Sequence, residues 1–117
     1  MNNKKEIEDK ILSTQEKFYI NRFELIENAI YETTGITLEM LQSKSRMRFI
    51  TNARIIYSNF CHNLNINYKV ISYRLKMPNQ DIGRNIRVYG DRYKYDSEFK
   101  TMVDMVNNKL KEIQDGN

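Results

Sequence analysis

Proline, cysteine and histidine each occur once in this 117-residue chain, tryptophan is absent, and there are only four glycines. So few glycines and prolines leave little material for the tight turns of a β-rich fold, and a mostly helical chain is the natural expectation. A single cysteine, Cys61, excludes an internal disulfide and any cysteine-based structural zinc site. Long apolar runs are missing too. The start, Met1-Asn-Asn-Lys-Lys5, is charged and leads into Glu6, Glu8 and Asp9, so neither a signal peptide nor a transmembrane span is expected. The expected location is the cytoplasm, without membrane contact. Against these absences, 40% apolar and 29% charged residues lie in the ordinary globular range. The length suits one domain with a real core and is too short for two.

Acidic residues are scarce in one long stretch. Between Met40 and Tyr95 stand eleven Lys or Arg against two acids, Asp81 and Asp91. Residues 1–39, 40–95 and 96–117 carry −3, +9 and −2, so the net +4 hides a concentrated cationic block. Such a block on a small domain is the electrostatic footprint of a polyanion, most often nucleic acid.

Hydrophobic spacing predicts six or seven helices and no strand. Ile7, Ile11 and Phe18 form a thin stripe over residues 4–20, which reads as a linker-like helix or one that packs on a partner chain. The remaining 21–117 reads as the functional domain. There Phe23, Ile26 and Ile30 define a helix that Gly35 ends, and Thr37 is suited to cap a short helix bearing Leu38 and Leu41. Ser43-Lys-Ser-Arg-Met-Arg48 reads as an exposed basic connection. A helix is expected from about Asn52 through Ile56, Phe60 and Leu64. Asn67 is suited to cap the next, which buries Ile71 and Leu75. Pro78 marks a boundary, and Ile82, Ile86 and Tyr89 share one side of a helix that Gly90 weakens near its end. Asp96 or Ser97 then caps a last helix running from Phe99 to Ile113.

A short helix (68–76), a turn around Met77-Pro78 and a second helix from Asn79 make a helix-turn-helix pattern. The second helix of that motif enters the major groove with its N-terminal residues at base edges, here Asn79 and Gln80. Their amides offer a donor and an acceptor together, which suits adenine, while Arg84 is placed to reach guanine or phosphate, with Arg87 further along the helix. Asn79 has a second reading, as the cap of its own helix. Lys44, Arg46 and Arg48 alternate along the loop, and alternating arginines suit insertion into a narrow minor groove. Arg54, Lys69, Arg74 and Lys76 extend the basic set toward phosphates. Six to eight of the eleven cations on phosphate would give a log–log salt slope near −5 to −7, at roughly −0.9 per contact.

The run Leu41-Gln-Ser-Lys-Ser-Arg-Met-Arg-Phe-Ile-Thr-Asn-Ala-Arg54 resembles the C-terminal DNA-binding domain of the bacterial replication initiator DnaA. That family has Leu-Leu-Ser-Lys-x-Arg-x-Arg and then a helix opening with Arg-Pro-Arg, in the same register. Tyr68-Lys-Val-Ile-Ser-Tyr-Arg-Leu75 is similar to the family's Leu-Pro-Glu-Ile-Gly-x-x-Phe helix. Residues 21–41 and 96–113 resemble the opening and closing helices, so the likeness spans about 20–114. It implies an all-α, Trp-repressor-like helical domain that binds double-stranded DNA at short sites, with Arg46 at the position of the family's minor-groove residue. Lys69 stands where the family has proline. The chain departs from the family at Lys76-Met-Pro-Asn-Gln-Asp-Ile82, one residue shorter than Gly-Gly-Arg-Asp-His-Thr-Thr-Val. No Gly-x-x-x-x-Gly-Lys-Ser/Thr phosphate loop is present, so an ATP-driven step would need a separate ATPase or replication protein, for which the N-terminal helix offers a docking element.

The expectation is therefore a non-enzymatic, sequence-specific DNA-binding domain, without cofactor or metal, in replication-origin recognition or its regulation. The rival is a protein-interaction adaptor that keeps the fold and has lost DNA reading. A nuclease ranks last, because Asp81 and Asp91 lie ten residues apart with no third ligand. Cys61 and His62 point about 100° apart on a helix and do not make a catalytic pair. Glu24, Glu27 and Glu32 read as a solvated face. Tyr89, Tyr93 and Tyr95 read as wedges between the last two helices rather than base-stacking groups.

Overall fold

The computed structural model describes residues 3–116, and all regular structure in them is helical. The seven helices are α1 (Asn3–Phe18), α2 (Ile20–Thr34), α3 (Leu38–Gln42), α4 (Arg48–Asn63), α5 (Tyr68–Leu75), α6 (Asn79–Tyr95) and α7 (Ser97–Asp115). Local chemistry sets most boundaries. Gly35 adopts φ 79° and ends α2 with its N–H donating to Tyr31 O at 2.8 Å. The Thr37 hydroxyl accepts from Met40 N at 3.2 Å, Asn67 Oδ1 from Lys69 N at 2.9 Å, and Asp96 Oδ1 from Phe99 N at 3.1 Å. Each satisfies an amide that the first helical turn leaves without an internal partner.

Two boundaries differ from the sequence expectation. α4 starts at Arg48, four residues before Asn52: Met47 O accepts from Ile50 N at 3.0 Å and from Thr51 N at 2.9 Å. No side chain caps this end; burial of Ile50 holds it in place. α6 continues past Gly90 to Tyr95, because Tyr89 and Tyr93 on its inner side hold the later turns against α7. Tyr89 meets Phe99 edge-on at 5.6 Å, and the Tyr93 hydroxyl donates to Asp104 Oδ1 at 2.8 Å. Tyr95, by contrast, points into solvent at 76% exposure and wedges nothing.

α4 runs through the middle, and Asn52 to Ser58 are all buried. Around it pack Phe23, Ile26 and Ile30 of α2, Ile71 and Leu75 of α5, Ile82 of α6, and Phe99, Val103 and Val106 of α7. Each large apolar side chain so buried contributes about 1.5–3 kcal/mol, before the entropy of ordering the chain is set against it. The polar exceptions are matched: Ser58 Oγ donates to Arg54 O at 2.8 Å and accepts from Asn85 Nδ2 at 3.1 Å, which ties α4 to α6 through buried side chains. α1 lies along α5, with Leu12 and Tyr19 at the margin of the core, while Ile7, Ile11 and Phe18 face outward.

Glu27 departs from its expected solvated role. Arg74 donates from Nε and Nη2 to its two carboxylate oxygens at 2.9 and 2.8 Å, and the Tyr57 hydroxyl donates to it at 2.5 Å. Arg74 also reaches Glu16 of α1 at 3.1 Å, so this cation is spent inside the molecule. Glu24 and Glu32 are exposed as expected. Cys61 is fully buried, and burial, followed by the nearby Glu27 charge, pushes its thiol well above its ordinary pKa; His62 is exposed and meets Tyr68 edge-on.

Candidate nucleic-acid interface

α5 and α6 join through three residues, Lys76, Met77 and Pro78. Lys76 takes the left-handed conformation at φ 57°, and its N–H donates to Ser72 O. Met77 N donates to the same carbonyl at 3.1 Å, and the Ser72 hydroxyl closes the turn on Met77 O. Pro78, at φ −60°, occupies the cap position of α6, and its carbonyl accepts from Asp81 N at 3.0 Å. Asn79 is therefore the first helical residue and not the cap, and no side chain caps this end. Its exposed amide lines a shallow groove with Lys69 and Tyr73 of α5 and Glu8 and Ile11 of α1.

The helical repeat sorts α6 into two faces. Ile82, Asn85, Ile86, Tyr89 and Tyr93 turn inward. Opposite them Gln80, Arg84, Arg87 and Asp91 follow at four, three and four residues, which aligns them along one side. All four are exposed. Arg84 lies 3.3 Å from Asp81, an exposed contact worth about 0.2–0.5 kcal/mol that leaves the guanidinium available. Arg87 folds back over Gly83: a Cβ added there would lie 3.4 Å from its Nη1. Asp91 closes the row with the opposite charge, which places the anion-favouring part in the N-terminal two-thirds of the helix.

The basic loop owes its shape to its serines. Ser43 is extended, and Ser45 N and Met47 N donate at 3.3 Å each to the hydroxyls two residues before them, those of Ser43 and Ser45. Lys44 and Arg46 stand exposed, while the hydroxyls of Ser43 and Ser45 are engaged by the loop's own backbone. At one end Gln42 Nε2 donates to Arg74 O at 2.8 Å, beside the α5–α6 turn. At the other, Arg48 Nη2 meets Asp96 Oδ2 at 2.5 Å, just beyond α6. The loop is thus tied near both ends of the helix whose outer face carries Arg84 and Arg87. Arg48 and Arg87 line one open groove with Val88, Asp91, Tyr95 and Asp96.

The predicted cations divide. Lys44, Arg46, Lys69, Lys76 and Arg87 are exposed and, among the described residues, pair with no carboxylate. Arg48 is exposed but shares its charge with Asp96, whose carboxyl the Phe99 amide and then Arg48 hold below the usual range. Arg54 is a correction: it is 7% exposed, and its guanidinium donates to backbone carbonyls of Leu41, Ser43 and Ser45, so it reaches no surface. Burial lowers its pKa. Arg92, half-buried, donates to Asn52 Oδ1 at 3.0 Å and joins α6 to α4. Arg54 and Arg74 leave the interface, and the residue types alone gave no means of seeing it: their acceptors are carbonyls and acids up to 58 residues away. Arg92 still lines the groove of Arg48 and Arg87.

A second surface has a different character. Thr33 and Thr34 of α2, Phe49 and Asn52 of α4, and Met102 and Met105 of α7 line an apolar groove, with Arg48 and Glu98 at its margin. Among the described residues no cluster of three His, Cys, Asp or Glu could hold a metal ion, and no helix is long and apolar enough to cross a membrane. No protein-family model, no curated protein and no solved structure matches the chain.

Proposed function

We propose that this chain binds double-stranded DNA in a sequence-dependent way, through a helix-turn-helix whose second helix is α6 and a minor-groove loop over 43–48. The single observation that carries the reading is the tie between the two elements. The loop with Lys44 and Arg46 is anchored to Arg74, beside the α5–α6 turn, at Gln42 and to Asp96, beside the end of α6, at Arg48, and Arg48 shares one open groove with Arg87 of the outer α6 face. In this arrangement Asn79 and Gln80 lead into the major groove, Arg84 follows one turn on, and Arg46 enters the adjacent minor groove. Lys76 and Arg87 serve phosphates. The resemblance to the DnaA domain points the biological role toward replication-origin recognition or its regulation, with a separate ATPase or replication protein engaged through α1.

The test is anisotropy titration of labelled random and selected duplexes over a range of salt. Five of the predicted cations, Lys44, Arg46, Lys69, Lys76 and Arg87, are exposed and, among the described residues, free of carboxylates. With these on phosphate the log–log slope is expected near −4 to −5 at roughly −0.9 per contact. A slope near zero sinks the reading.

The adaptor reading draws on one specific observation, the apolar groove between Phe49 and Met105, which the DNA-binding role leaves unused. An adaptor would ignore duplexes at low salt, so the same titration separates the two.

A further inference from the structure

Arg54 has an arrangement unlike that of any other cation in the chain. It sits in the first half of α4, 7% exposed, with no carboxylate near it; the only cause lowering its pKa is burial. A buried guanidinium without a counter-ion is costly unless every donor finds an acceptor. Here Nε donates to Leu41 O at 2.8 Å, Nη1 to Ser45 O at 2.7 Å and Nη2 to Ser43 O at 2.7 Å. Two of the acceptors, Ser43 O and Ser45 O, belong to the loop that carries Lys44 and Arg46, and the third, Leu41 O, lies in α3 just before it. A loop's carbonyls ordinarily turn to water; these turn inward to a charge, and charge-assisted bonds are the stronger kind. The carbonyls on either side of Lys44 are held by Arg54, while the Lys44 and Arg46 side chains stand exposed.

From this we infer that Arg54 is the positioning residue of the basic loop: it touches no DNA itself, and it fixes the loop shape that presents Arg46 and Lys44 to the minor groove. The grip on DNA rests on the function proposed above; the brace itself does not. Lysine cannot replace arginine here, because one ammonium cannot span three carbonyls in the plane of a guanidinium fork.

Arg54→Lys tests it with two readouts. Without DNA, trypsin is expected to cut after Lys44 and Arg46 at least about fivefold faster than in the unaltered chain, since the loop opens more often, while cleavage elsewhere and the helical circular dichroism stay unchanged. With duplex DNA, affinity is expected to fall about tenfold. That loss should vanish when Arg54→Lys is made in a Lys44→Ala, Arg46→Ala background, because the brace then has no cations to present. Unchanged trypsin cleavage overturns the brace. An equal affinity loss in both backgrounds overturns the coupling and marks Arg54 as merely structural. An unaltered protein that ignores duplex DNA sinks the DNA reading instead, and the trypsin arm still decides the brace. Should the variant unfold, exchange of the Arg54 Nε proton in the unaltered chain decides it: strong protection is expected, and exchange as fast as in Arg46 overturns the inference.

Discussion

Glu27 and Arg74 show how far a charged residue's role depends on neighbours that lie far off in the chain. Forty-seven positions separate them, yet the carboxylate receives two guanidinium donors and the Tyr57 hydroxyl in a site where both ionic side chains are little more than a tenth exposed. Burial chiefly, and then the nearby negative charge, pushes the Tyr57 hydroxyl well above its ordinary range, so it stays protonated and donates. Removing Glu27 takes two of the acceptors of Arg74 and leaves Glu16 as its remaining counter-ion. Glu27→Gln is therefore expected to lower stability by about 2–4 kcal/mol, discounted from the fully buried case because water still reaches the margin. Urea unfolding measures it, and a loss under about 0.5 kcal/mol, the scale of an exposed pair, would contradict the account. The same contacts explain what residue types alone conceal. A glutamate at position 27 shares a helix with Glu24 and Glu32, and only the arrival of α5 distinguishes it.

At the scale of elements the sequence is legible where signals are local. Gly35, Thr37, Asn67 and Asp96 act as stop or cap residues through atoms within a few positions, and each does so in the fold. The start of α4 was misplaced because nothing local marks it; Ile50 is secured by the core. Gly90, whose cost is about 1 kcal/mol, does not end α6, because Tyr89 and Tyr93 on its inner face keep their contacts with Phe99 and Asp104. Of the candidate site, the loop cations and the α6 face could be read from spacing, whereas the internal use of Arg54, Arg74 and Arg92 could not. The two elements of the interface make different predictions. Arg46→Ala is expected to weaken binding to all duplexes or to those flanked by A·T pairs. Gln80→Ala is expected to narrow the gap between the selected site and random DNA, by about 1–3 kcal/mol if its amide is bidentate to adenine. Affinities of both variants on both duplexes test this, and identical profiles would refute the division.

Across the whole molecule, charged and apolar surfaces adjoin. Arg48 borders both the open groove with Arg87 and the apolar groove of Phe49 and Met105, and Ile11 of the outward α1 stripe shares a groove with Lys69 and Asn79. Because Gln42 holds the carbonyl of Arg74 while Arg48 holds Asp96, loop and helix form a caliper with a fixed jaw opening. Duplex DNA offers no slack to such a tool: one inserted base pair displaces the two contact points by about 3.4 Å and turns one against the other by roughly 34°. Lengthening a selected site by a single pair between its A·T flank and its core is thus expected to reduce binding to the level of random duplex, even with every contacted base retained.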